Sequence, residues 1–141
     1  MLFATIAAAL LTLCHVASAT EEIDLGNYEL DEPTFNKLIT GKRAALVKFY
    51  APWCGHCQAM AEDYRRLNKI VGKATDDVLI VKVNADKERA LGSRFGVKGY
   101  PTLLWFPKGG DINKPEKYHG GRDFNSLLRF VREHTNIDVR G

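Results

Sequence analysis

The apolar run Ala44-Ala45-Leu46-Val47-Lys48-Phe49-Tyr50 gives way within a few residues to a different periodicity. Cys57, Met60, Tyr64, Leu67 and Val71 recur at helical spacing, and Val78 to Val83 is then a second apolar run. A strand, a helix and a strand in that order require a crossover, so the two strands pair in parallel. Both runs are apolar on both faces, the pattern of strands covered on each side by helices. Cys54 stands at the point where strand becomes helix.

The rest of the chain extends this unit. Asp31 caps a short helix through Thr40, with Gly41 ending it. Lys87 to Phe95 reads as a short helix closed by Gly96. Leu103 to Phe106 is a strand, Lys108 to Asp111 a turn and Glu116 to His119 a short strand, a hairpin that extends the sheet antiparallel. Asp123 caps a last helix with Phe124, Leu127, Leu128 and Val131 on one face. The expected order is β-α-β-α-β-β-α, with a further strand near Ile23. There is no internal repeat. The class is α/β, a central mixed sheet flanked by helices.

Residues 1–19 stand apart. Leu2 to Leu13 is too short to span a bilayer, and Ala17-Ser18-Ala19 has the small-residue pattern of a cleavage site. The segment reads as a secretory signal peptide, although it contains no Lys or Arg; an uncleaved anchor is the alternative. Cleavage after Ala19 leaves 20–141 as one domain and removes Cys14, so that Cys54 and Cys57 are the remaining cysteines. A single local pair closes too small a loop to act as a structural staple. The net charge of +3, with both signs interspersed, argues against a nucleic-acid site. No second run is long enough for a membrane span.

The thiolate is the species that attacks a disulfide, and a helix start favours an anion. Cys57, one turn later, can return toward the same spot. His56 as a cation would stabilise the Cys54 thiolate, and Gly55 lets the backbone turn closely. Half a zinc site is the competing reading of the pair, but His119 and His134 lack the usual paired spacing, so no metal is expected.

The stretch Phe49-Tyr50-Ala51-Pro52-Trp53-Cys54-Gly55-His56-Cys57 resembles the active site of protein disulfide isomerase thioredoxin-like domains. Val97-Lys98-Gly99-Tyr100-Pro101-Thr102 and Tyr118-His119-Gly120-Gly121-Arg122 extend the likeness over about residues 23–135. The resemblance implies a thioredoxin fold, with Cys54 as nucleophile, Cys57 as resolving thiol and His56 tuning Cys54. It also implies that Pro101 is cis and faces the site. Trp53 and Tyr100 then form an apolar rim for unfolded substrate, or simply pack. No cofactor is implied, since electrons come and go through thiols.

Three positions depart from that pattern. Where the family carries a buried acid beneath the second cysteine, this chain has Lys48, and Lys82 matches the family's partnering lysine. Either Lys48 snorkels outward on its stem, or its amine acts on Cys57 as base or counter-charge. His134 aligns with the arginine that lowers the resolving cysteine's pKa, or it merely complements a helix C-terminus. Glu62 replaces a helix-kinking proline, so the long helix should run straight.

The implied activity is formation and rearrangement of disulfides in unfolded or misoxidised secretory proteins, coupled to an upstream oxidant or reductant. A reductase or electron carrier for one dedicated partner, and a peptide-binding chaperone or adaptor, are the alternatives. The expected location is the secretory pathway, in the endoplasmic reticulum lumen. Secretion is the alternative, since the chain ends Ile137-Asp138-Val139-Arg140-Gly141 without a Lys-Asp-Glu-Leu-type signal.

Overall fold

The computed structural model describes residues 28–139. The expected signal peptide, Cys14, the strand expected near Ile23, and the last two residues lie outside the described residues. In chain order the elements are α1 (Glu32–Leu38), β1 (Ala44–Tyr50), α2 (Gly55–Ala74), β2 (Val78–Asn84), α3 (Arg89–Arg94), β3 (Thr102–Phe106), β4 (Glu116–Lys117) and α4 (Phe124–His134). The sheet order is β2-β1-β3-β4. β1 pairs with β2 in parallel and with β3 antiparallel, and β4 lies antiparallel on β3. The mixed sheet therefore has β1 in its interior, which is why six of its seven residues are buried whichever face they take.

Residue alternation divides the two faces of the sheet. Phe49 and Phe106 meet Phe35 of α1 and Phe95 just beyond α3 in a cluster of edge-on and tilted rings 5.4–5.9 Å apart. On the other face, Leu46, Lys48 and Trp105 meet α2 and α4: the Tyr64 hydroxyl bonds the Leu46 carbonyl at 2.9 Å, and Trp105 packs edge-on to Phe130. Leu67, Val71, Leu127 and Val131 are fully buried beneath this face. Each contributes about 1.5–3 kcal/mol by leaving water.

Local chemistry sets the boundaries. Asp31 and Thr34 form a reciprocal capping box at the start of α1. That helix stops at Leu38, short of the expected Thr40, because the Ile39 backbone is no longer helical; the left-handed backbone comes at Gly41, φ 82°. α3 begins at Arg89 rather than Lys87, because Asn84 first turns the chain by accepting from Asp86 and Lys87. β4 keeps only Glu116 and Lys117 of the expected four-residue strand. The Tyr118 amide still reaches Leu103, but its hydroxyl then donates to Gly121 at 2.5 Å and turns the chain off the edge. Asp123 caps α4 through Ser126, and Asp63 of α2 accepts the Phe124 amide, tying the two helices together. With Glu62 in place, α2 is one uninterrupted helix of 20 residues.

Candidate active site

β1 ends at Tyr50, and Ala51-Pro52-Trp53 carries the chain into the amino end of α2, where Cys54 is the N-cap. Serine or aspartate usually supplies an oxygen at such a position. Here the Cys54 sulfur takes that role, accepting the Cys57 amide at 3.2 Å. A negative charge on this sulfur would face the positive end of the helix dipole. Both cysteines are free thiols and buried, Cys54 at 6% exposure and Cys57 at 3%, packed with Ala51, Tyr50 and Tyr100. Two thiols one helical turn apart can close a disulfide with each other and reopen it by exchange.

Burial pushes the Cys57 thiol up to about 11, and its hydrogen bond with Cys54 acts in the same direction. The Ala51 backbone and the Lys48 charge oppose the rise. At neutral pH Cys57 is therefore a protonated thiol that needs help to become a nucleophile.

Lys48 does not snorkel. Neighbouring strands and α2 cover its stem, and the side chain is 2% exposed. Its ammonium lies 4.7 Å from the centroid of the Tyr64 ring and 5.6 Å from that of Tyr50. Lys82 stands directly across the parallel register, its ammonium 5.2 Å from the Tyr50 ring on which both amines converge. Burial first, then repulsion from Lys82, lowers Lys48 to about 8, while Cys57 and Cys54 pull it back up. The groups acting on it include no carboxylate. A carboxylate does reach the cluster: Tyr50 donates to Glu29, whose backbone bridges to Lys82. Burial and that hydrogen bond hold the Tyr50 phenol well above its usual range.

The remaining sequence-derived positions divide into two groups. His56 and Gly55 are exposed in the first turn of α2. Trp53 is 68% exposed and meets Tyr100 edge-on at 5.8 Å, so the two rings form an apolar rim beside the buried thiols. The Tyr100–Pro101 bond is cis. His134, by contrast, is not brought to the cysteines: its ring stacks on Phe130 at 3.8 Å, lies edge-on to Trp105, and its Nδ1 bonds the Phe130 carbonyl. It is absent from the groups acting on Cys57. Arg122, in the sequence no more than the end of a motif, is one of the cations that share a groove with Tyr100 and Pro101. Its signal was its place just after Gly120-Gly121, where the chain reverses toward α4. Glu29 was missed because nothing local links it to Tyr50, 21 residues away. Among the described residues, no three His, Cys, Asp or Glu side chains stand together as metal ligands would.

The chain is 48% identical over 99 residues to protein disulfide-isomerase tigA of Aspergillus niger, covering 70% of this chain and 27% of that protein. It is 45% identical over 111 residues to protein disulfide isomerase-like 2-1 of Oryza sativa subsp. japonica, covering 79% and 30%. It thus spans less than a third of the length of these relatives. The first thioredoxin domain of mouse protein disulfide-isomerase A4 superposes with a TM-score of 0.66 at 31% identity, over 78% of this chain and 76% of that domain. The family model described as Thioredoxin matches residues 27–133, from the segment before α1 to the last turn of α4; with the mixed sheet and the dithiol at the start of α2, the chain belongs to the thioredoxin family.

Proposed function

We propose that this chain is a thiol–disulfide oxidoreductase that forms and rearranges disulfides in secretory proteins. The observation that carries the reading is the Cys54–Cys57 pair at the amino end of α2, beside the apolar rim of Trp53 and Tyr100. From the dithiol, the Cys54 thiolate attacks one sulfur of a client disulfide; that bond breaks, and the departing client thiolate takes a proton. Cys57 then loses its proton and attacks the Cys54 sulfur. The internal disulfide forms and the second client thiol is released, so the client gains two electrons and the pair gives up two. Client oxidation is the same path reversed. Isomerisation stops at the mixed disulfide, which another client thiol resolves.

His56 tunes the Cys54 thiolate, Gly55 keeps the turn open, and Trp53, Tyr100 and Pro101 receive the client. Lys48 acts on Cys57, because its burial leaves the amine beneath the helix rather than in solvent. The leader-like composition of residues 1–19 supports delivery into the secretory pathway, with the endoplasmic reticulum lumen as the working compartment. No helix among the described residues is long and apolar enough to cross a membrane.

The test is the reduction potential of Cys54–Cys57 against a glutathione series. A value near about −180 mV matches an oxidising compartment and supports oxidase and isomerase work. A value near about −270 mV makes the chain a reductant and refutes the direction proposed.

A further inference from the structure

A groove of about 660 Å³ begins at Tyr100 and Pro101 and runs along the β3–β4 hairpin. Five cations line it, Arg94, Lys98, Lys114, Lys117 and Arg122, and no Asp or Glu does. All five are exposed. Among the described residues none of them is paired with a carboxylate; the ion pairs lie elsewhere, at Arg65–Glu62 and Lys108–Asp77. Arg94 is held in place by the Asn36 side-chain oxygen at 2.9 Å and by the faces of Phe35 and Phe95. Glu116, next to Lys117 in β4, lines a different cavity with Arg129 and Glu133, a cavity that Lys117 also borders. The chain as a whole has 20 Lys and Arg against 17 Asp and Glu, so the groove is a local separation of charge and not a reflection of a basic protein.

Position gives the charge its meaning. Tyr100 lines the head of the groove and also packs against Ala51, Cys54 and Cys57. A chain lying in the groove is thereby led to the two thiols. We propose that this groove docks acidic segments of the polypeptides whose disulfides Cys54 and Cys57 exchange, so that clients with Asp and Glu flanking their cysteines are preferred. The inference rests on the oxidoreductase reading above and adds a selectivity to it. Unpaired surface cations contribute modestly one by one but act together on an extended anionic segment, and they raise the encounter rate at low salt. A polypeptide is favoured over a nucleic acid because the groove leads to thiols and presents no row of exposed aromatic rings for bases to stack on.

The experiment compares three disulfide-bonded peptides of equal length, with acidic, neutral and basic residues around the same cystine. Binding of their cysteine-free versions is followed by fluorescence anisotropy. The acidic peptide should be turned over about fivefold to tenfold faster than the neutral one at low salt, with the advantage gone at 1 M salt. The basic peptide should be slowest. The K98E/K117E variant should lose the acidic preference in both turnover and binding. The K69E/K73E variant, with the same change in net charge on the exposed side of α2, should keep it. Equal rates for the three peptides would overturn the proposal and leave the oxidoreductase reading standing. Equal loss of preference in both variants would also overturn it, since net charge alone would then be responsible. So would capture of heparin or single-stranded DNA by the groove without any preference among peptides. Selective binding without turnover of any peptide would sustain the groove and sink the oxidoreductase reading.

Discussion

Lys48 makes a sharp energetic prediction. Burial and Lys82 lower its amine from 10.5 to about 8. Below about 8 the folded protein carries a buried charge that it would be more stable without. Between about 8 and 10.5 the folded state has released the proton while the unfolded chain still holds it, so stability rises with pH across that window. At about 1.4 kcal/mol per pH unit the full effect is roughly 3 kcal/mol. Solvent screening reduces this, and replacing the amine also loses its contacts with the Tyr64 and Tyr50 rings, so about 2 kcal/mol is the working value. Met fills a similar volume without charge. Lys48→Met should therefore be more stable than the parent by about 2 kcal/mol at pH 7, and the difference should shrink toward zero by about pH 10.5. The assay is urea unfolding of the reduced protein in steps of pH, reading the difference between the two proteins so that titrations common to both cancel. Cys57 remains a thiol until about 11, above most of the window. A difference that stays constant from pH 7 to pH 10.5, or a Met variant less stable at pH 7, would refute the argument that the charge is buried at a cost.

Three further outcomes follow from particular contacts. Because burial holds the Cys57 thiol at about 11, resolution of a mixed disulfide on Cys54 should accelerate with pH, approaching tenfold per unit between pH 7 and about 10; a flat profile in stopped-flow release of the client thiol would contradict this. Asp31→Ala removes one half of the capping box and should lower stability by about 1 kcal/mol in denaturant unfolding without altering turnover. A Cβ at Gly120 would overlap the Tyr118 phenol, so Gly120→Ala should cost about 1–3 kcal/mol, and Tyr118→Ala in the same chain should relieve most of the added cost.

Much of this molecule is written in local patterns. The apolar runs of β1 and β2, the helical spacing from Cys57 to Val71, and the caps Asp31 and Asp123 identify elements because each depends on a few neighbouring residues. The dithiol was legible for the same reason: its spacing and its place between strand and helix are properties of one short segment. What surrounds it was not legible. The alternation of a strand says that Lys48 is on one face of β1, but whether that face is open or covered depends on where α2 comes to rest. Glu29 meets Tyr50 because the segment before α1 runs along β2, and Arg122 joins the groove of Tyr100 and Pro101 because the hairpin folds back. His134 had two readings in the sequence because an aligned position near a helix end fixes no direction for a side chain; Phe130 and Trp105 supply that direction and keep it in the last turn of α4. The sequence by itself determined the elements and the reactive pair, since these follow from backbone periodicity and neighbouring side chains. Only the tertiary structure decided which charges are buried beside the thiols and which gather in the groove, because burial and charge separation arise between segments far apart in the chain.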